Sequence, residues 1–270
     1  MRVCMRRMRL RVRMCRRRKV NPGGDVVGEG EGSAAKEELE ELDAQYQRQA
    51  AWFSGVRANL LRRVGIQGKR QVLELGCGTG AVTPELTRRC GGHVVALDIR
   101  AGPLSLHPER FKAARQVIAS GDAMPFADQS FDLVFTQMLF LWVADPAAVV
   151  HEVRRVLEPG CELVVAAEPD FGGRIEHPEA SRLGPRMSAA LSAVGADPEV
   201  ARKMPDILSR EGFQVSMGVH PSLFQPDELA RAWDEEQRFL ASLEGRPIEA
   251  CPAVSFLFMP YFWFLARRGR

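Results

Sequence analysis

Residues 72–86 read VLELGCGTGAVTPEL. Gly76, Gly78 and Gly80 alternate with Cys77 and Thr79 directly behind a short apolar run that carries Glu74. Glycines at such a turn let a ligand lie against bare main chain. A helix opening behind them offers free amides to an anion. Two ligands fit the pattern. As G-x-G-x-x-A, from Gly76 to Ala81, it matches the dinucleotide fingerprint, with an acid, Asp98, about 20 residues on. As G-x-G-x-G behind an acidic strand, it fits a nucleoside without a pyrophosphate. No basic residue follows the glycines to meet a pyrophosphate. The tyrosines are Tyr46 and Tyr261, and neither begins the Y-x-x-x-K of a dehydrogenase.

The elements that must position this loop are legible as hydrophobic periods. Leu39, Leu42, Tyr46, Ala50, Phe53, Val56, Leu60, Leu61 and Val64 recur at spacings of three and four, so one or two helices are expected over 36–64. Short apolar runs follow at 71–75, 93–98, 115–120, 130–137 and 161–168. Helical stretches separate them, notably 80–90 and a helix opened by Asp145-Pro146 as N-cap and first-turn proline. That helix carries Val149, Val150, Val153, Val156 and Leu157 inward and stops at Pro159-Gly160. Near-continuous apolar strands alternating with helices predict a doubly wound, mostly parallel sheet covered on both faces. Beyond Glu168 the pattern predicts helices near 178–194 and 198–211, a strand at 213–221, a helix over 226–243 and a last apolar strand, antiparallel, at 254–268.

Five signals in order carry a resemblance. VLELGCGTG resembles motif I of the class I S-adenosylmethionine-dependent methyltransferases. Asp98 stands where that family's acid grips the ribose hydroxyls. GDAMPF (121–126) resembles the loop over the adenine, with Asp122 near its amine. SFDLVFTQ resembles the fourth strand. HEVRRVLEPGCELVVAAE resembles the E-x-x-R-x-L-x-P-G-G helix, turn and fifth strand, with Cys161 in place of the second glycine. The resemblance spans roughly residues 70–168, and EPDFGG (168–173) is similar to the EPDYGG of type 11 and type 25 members. It implies a Rossmann-like, mostly parallel seven-stranded sheet with an antiparallel last strand and helical cap insertions. It also implies S-adenosyl-L-methionine as cofactor, held by Glu74, Gly76, Cys77, Gly78, Gly80, Asp98, Ile99, Asp122, Ala123, Met124 and Gln137.

In this family an N-terminal helical segment often folds over the cofactor as a lid. Tyr46 or Arg57 would then touch the ligand's carboxylate; the alternative for Arg57 is a surface charge, and for Trp52 and Phe53 helix packing. Methyl transfer needs alignment more than acid–base chemistry. Glu168, Asp170 and His177 lie where the sheet's C-terminal edge should be and are the candidate bases, with His177 and Asp170 preferred. His177 reads more readily as a solvated loop residue before Pro178, and Asp170 equally as the cap of a turn with Gly172-Gly173. Phe140, Leu141 and Trp142 either wall an acceptor pocket or pack the next helix.

Composition narrows the rest. Residues 1–20 hold ten of the 37 Lys and Arg and none of the 34 Asp and Glu, so the other 250 residues carry a formal excess of seven negative charges. An acidic body argues against a nucleic-acid substrate. No N/D-P-P-Y/F stretch follows the fourth strand; TQMLFLW stands there instead. The expected acceptor is therefore a small or medium organic molecule. An RNA or tRNA methyltransferase anchored by the basic tail and a non-catalytic S-adenosylmethionine-binding protein are the alternatives. Cys4, Cys15, Cys77, Cys90, Cys161 and Cys251 form no C-x-x-C, so neither a zinc site nor a disulfide framework is expected. With no transmembrane run or secretory leader, the cytoplasm is the default. The expected organisation is a disordered basic tail and Gly-rich linker at 1–35, then a catalytic domain over 36–270. Its parts are a lid (36–66), core (70–168), cap insertion (169–212) and C-terminal strands and helix (213–268).

Overall fold

The computed structural model describes residues 29–178, 182–223, 226–245, 247 and 253–270. The basic tail lies outside them. The first helix, α1 (Glu29–Trp52), begins inside the stretch read as linker and runs to Trp52. Phe53 interrupts it, and α2 (Ser54–Arg63) follows. Trp52, expected to pack, is 43% exposed, whereas Phe53 is fully buried.

The alternation then unfolds as predicted: β1 (Gln71–Leu75), α3 (Thr83–Arg89), β2 (His93–Asp98), α4 (Ala101–Leu106), β3 (Ala114–Ile118), β4 (Phe131–Thr136), α5 (Pro146–Val156) and β5 (Leu157–Pro169). Asp145 caps α5, its side chain accepting the Ala148 amide at 3.0 Å. Pro159-Gly160 does not separate helix from strand: β5 starts at Leu157, and its pairing with β4 slips between Phe131 and Leu133 to absorb the turn. The rest is β6 (Ile175–His177), α6 (Leu183–Ala193), α7 (Val200–Arg210), β7 (Phe213–Leu223), α8 (Pro226–Glu244) and β8 (Phe256–Arg268).

The strands form one sheet. β3, β2, β1, β4 and β5 are parallel neighbours in that order; β8 is antiparallel to β5 on one side and to β7 on the other. The three-residue β6, absent from the sequence-based expectation, pairs with Phe256–Phe258 of β8, while β5 pairs with Tyr261–Arg267. It thus prolongs β5 along the same edge of β8, and the sevenfold pattern is kept with one strand broken in two. Alternate residues of each strand feed opposite layers. Val72, Val94, Leu133, Phe135 and Val164 pack under Leu60 and Leu61 of α2 and Leu86 of α3. Leu73, Leu75, Val95, Val134, Leu163 and Val165 pack under the valines of α5 and Val200, Met204 and Leu208 of α7. Both faces of the central strands β1, β2 and β4 are covered, so these are almost wholly buried, whereas the edge strand β3 is largely exposed. The C-terminal edge of the parallel strands is left as the place where loops converge.

Candidate functional site

Gly76, Gly78 and Gly80 all have positive φ, at +77°, +54° and +79°. The requirement is clearest at Gly78. A Cβ there would sit in a left-handed conformation and 2.8 Å from Cε2 of Tyr46. Tyr46 comes from α1, so that helix rests on the glycine loop. The loop is pinned to the next strand: the Gly76 and Cys77 amides donate to the Leu97 carbonyl at 2.8 and 3.1 Å.

Asp98 ends β2 with 8% of its surface exposed. One carboxylate oxygen accepts the Gly78 amide and the other the Arg100 amide, both at 2.9 Å. An ionised carboxylate has about four lone-pair sites, so acceptor capacity remains for a vicinal diol. Arg100 in turn donates to the Tyr46 hydroxyl at 3.0 Å. Ile99 is 48% exposed and offers an apolar face beside the acid. In the loop after β3, Asp122 and Ala123 are exposed and Met124 is buried. Asp122 accepts from Ser120 at 2.5 Å, and the Met124 amide is held by Glu152 of α5 at 2.9 Å. Gln137 and Met138 follow β4, Met138 at φ +53°. These residues fit an adenosine-like ligand: an acid for the diol, an apolar residue for the flat base, a polar loop for its edge, and glycine backbone for the remainder.

Two expected ligand contacts are otherwise engaged. Arg57 is neither on the surface nor free. Only 5% of its side chain is exposed. It donates to Glu85 through Nε and Nη2 at 2.8 and 2.6 Å, and through Nη1 to the Ala50 carbonyl and Gln137 Oε1 at 2.9 and 3.0 Å. It locks α2 to α3 and orients Gln137. Glu74 points into the interior, where Thr83 donates to it at 2.6 Å. Burial pushes its pKa up to about 8, against the opposing pull of the Thr83 hydrogen bond and of Arg57.

That shift has a consequence for stability. The folded chain holds a proton on Glu74 that the unfolded chain, near the ordinary 4.5, gives up. The contribution is therefore complete below pH 4.5 and lost as pH rises through about 8. Glu168, pushed up to about 7 by burial, acts in the same direction. Thermal melts should show stability falling between about pH 5 and 9. A Glu74→Gln variant, which keeps an acceptor for Thr83 but cannot ionise, should give a flatter curve and equal or exceed the parent at the alkaline end. Parallel curves would rule this account out.

Sequence reasoning missed the lid's anchor. Asp43 of α1 is buried and accepts Thr79 Oγ1, from the glycine loop, at 2.6 Å. Arg110 binds it through both terminal nitrogens, and His107 Nε2 lies 3.2 Å away. Burial works to raise its pKa, but the hydrogen bonds from Arg110 and Thr79 and the Arg110 charge hold it down at about 2. A signal existed: Asp43 falls on the stripe formed by Leu39, Tyr46 and Ala50, and a charge on a buried stripe requires a partner.

The candidate bases divide. Glu168 is fully buried and accepts the amides of Leu139, Phe140 and Leu141 at 2.8, 3.1 and 3.3 Å, shaping the loop after β4. Asp170 is gripped by Arg202 at 3.0 and 2.8 Å and accepts the Gly172 amide at 3.1 Å, the turn-capping role. His177 sits exposed on β6, paired with Phe256, and no contact joins it to the glycine loop among those of the described residues. Phe140 and Leu141 are buried in the core; Trp142 is 47% exposed and packs edge-on to Phe239 of α8. Among the described residues no cluster of three His, Cys, Asp or Glu is placed to hold a metal ion, and no helix is long and apolar enough to cross a membrane.

A parallel sheet closed by an antiparallel strand, with a glycine loop facing an acid across the first crossover, defines a class I methyltransferase fold. Residues 73–165 match the family model described as "Methyltransferase domain", and the chain carries such a domain. The chain is 32% identical over 117 residues to a malonyl-[acyl-carrier protein] O-methyltransferase of Pseudescherichia vulneris, covering 43% of this chain and 44% of that protein. It is 36% identical over 111 residues to a demethylmenaquinone methyltransferase of Renibacterium salmoninarum, covering 40% and 46%. The chain thus spans less than half the length of these curated relatives. Among solved structures, a Bacillus halodurans protein described as a putative methyltransferase superposes with a TM-score of 0.60 at 18% identity, covering 79% of this chain and 98% of that one.

Proposed function

We propose that this chain transfers a methyl group from S-adenosyl-L-methionine to a small or medium organic acceptor. The observation that carries the reading is Asp98, set at the tip of β2 and braced by the Gly78 and Arg100 amides. When bound, the cofactor supplies an electrophilic methyl on a sulfonium. The chain's own residues do the rest. Asp98 holds the sugar diol, Ile99 and the 121–124 loop enclose the base, and Gly76 to Gly80 with Tyr46 receive the amino-acid end. Gln137, fixed by Arg57, and Met138 face the reacting region.

Apolar packing beyond β4 and β5 is in keeping with an organic acceptor. Phe53, Ala167, Met259 and Tyr261 form one buried cluster with Met138 and Phe171 against it. The relatives' names, malonyl-[acyl-carrier protein] and demethylmenaquinone methyltransferase, also point to organic acceptors. Catalysis by positioning fits the groups present. Asp170 is committed to Arg202, and Glu168 to three amides. Burial raises the Tyr261 hydroxyl's pKa, so it stays protonated and is a donor rather than a base. Alignment and exclusion of water can supply about 7–11 kcal/mol of barrier reduction.

An Asp98→Ala variant tests the reading. Loss of a hydrogen-bonding charged group should weaken S-adenosylhomocysteine binding by about 1.5–3 kcal/mol, roughly 10- to 150-fold in calorimetry. Unchanged affinity would remove the assignment of the sugar to Asp98.

A further inference from the structure

Past the end of β5, between β6 and α8, lies a charged cluster that the transfer reaction leaves unused. The Arg174 side chain is 2% exposed. Its Nε donates to Glu176 at 2.9 Å. Its Nη2 lies 2.6 Å from Glu236 Oε2 of α8, yet at an angle that makes no hydrogen bond, and Nη1 has no partner either. The end-on fork of this guanidinium is thus buried with Nη1 unpartnered and Nη2 held only by the ion pair to Glu236. The indole nitrogen of Trp233, one turn before Glu236, is buried and unbonded as well, and the guanidinium carbon stands 5.9 Å from that ring's centroid.

Buried guanidinium nitrogens without hydrogen bonds are costly, and a fork of two parallel donors matches the two oxygens of a carboxylate. The charged cluster also adjoins the apolar cluster of Phe53, Met259 and Tyr261. Tyr261, which packs on Phe53 and shares a cluster with Met138, feels the charges of both Glu236 and Arg174. Charge decides what can enter. Glu176 already balances Arg174, so an added anion is tolerated only if Glu236 leaves. α8 itself is fixed by Leu229, Trp233 and Leu240 in the main core, but the Glu236 side chain stands at the rim of the cluster, 22% exposed.

We propose that the Arg174 fork anchors a carboxylate of the methyl acceptor, and that Glu236 occupies its place until the acceptor enters beneath α8. The carboxylate is the anchor and not the methylated group, because its lone pairs are taken up by the fork and the Trp233 N–H. Displacement of one carboxylate by another leaves the charge of the buried cluster unchanged, so the Glu236 side chain swings out to solvent without stranding the guanidinium. This inference rests on the methyltransferase reading.

The test titrates octanoate, octanamide and octyl phosphate into the full chain by calorimetry, with S-adenosylhomocysteine titrated separately on each variant. Glu236→Gln should bind octanoate about ten-fold more tightly than the parent, since the internal competitor is gone, and octanamide no better. Adding Arg174→Lys, which keeps the charge but removes the fork, should abolish the gain, with circular dichroism confirming the fold. Octanoate affinity insensitive to either substitution would overturn the proposal, as would octanamide binding equally well or octyl phosphate being preferred. If S-adenosylhomocysteine binds while octanoate behaves in one of these ways, only the anchor fails. If S-adenosylhomocysteine binds to no variant nor to the parent, the methyltransferase reading fails instead.

Discussion

A Gly78→Val variant is expected to show no measurable binding of S-adenosylhomocysteine while remaining folded. The backbone at Gly78 has φ +54°, a region that costs any L-residue and a β-branched one most. The added Cβ would also lie 2.8 Å from Cε2 and 3.1 Å from Cδ2 of Tyr46. Relief requires either the loop or the α1 lid to shift. Strain of this kind is on the order of 1–3 kcal/mol before the clash is counted, and the shift moves the Gly78 amide away from Asp98, 2.9 Å distant in the parent. The damage therefore reaches Asp98, the acid proposed to hold the sugar, as well as the loop. Calorimetry reads the outcome, with circular dichroism as the control. Parent-like affinity would mean that the nucleoside lies elsewhere.

Arg57→Ala should cost the most stability of any single change considered, about 3–5 kcal/mol in urea unfolding. The side chain makes four hydrogen bonds, and its removal leaves Glu85, 14% exposed, without its main counter-charge and the Ala50 carbonyl without a donor. Arg89 also pairs with Glu85, at 2.8 Å, and limits the loss. Gln137 loses the group that orients it, so affinity for cofactor or acceptor should fall together with stability. Arg57→Lys restores charge but not the fork, and should recover part of the stability only. A loss below about 1 kcal/mol, the usual worth of an exposed pair, would show that Glu85 is satisfied without Arg57.

The two variants separate contributions that the structure joins. Gly78 acts on the ligand through main-chain shape, and Arg57 acts on the frame that presents Gln137. Asp43 belongs to the second kind. It ties α1 to Thr79 of the glycine loop and to Arg110, so the lid is held by the same loop that it covers. The packing of α1 and the shape of the glycine loop are in this way coupled through a few buried charges.

The order of strands and helices, the glycine loop and Asp98 could be read from residues 71–169 alone. Each is a local property: a strand buried on both faces is apolar along its length, a helix repeats at three and four, and a positive φ calls for glycine. Residue order also placed the acid one strand away from the loop, because a βαβ crossover is right-handed and most often joins neighbouring strands. What the tertiary structure decided are pairings of charges remote in sequence. Arg57 meets Glu85, 28 residues on, and Asp43 meets Arg110, 67 residues on. Glu168 turns from candidate base to a cap for three amides 27–29 residues before it. Arg174 finds Glu236 only because β6 and α8 are folded over the same edge. Periodicity reports whether a side chain is buried, and a buried charge reports that a partner exists. Which partner it is depends on how separate elements stack, and that is set by the packing of the whole sheet.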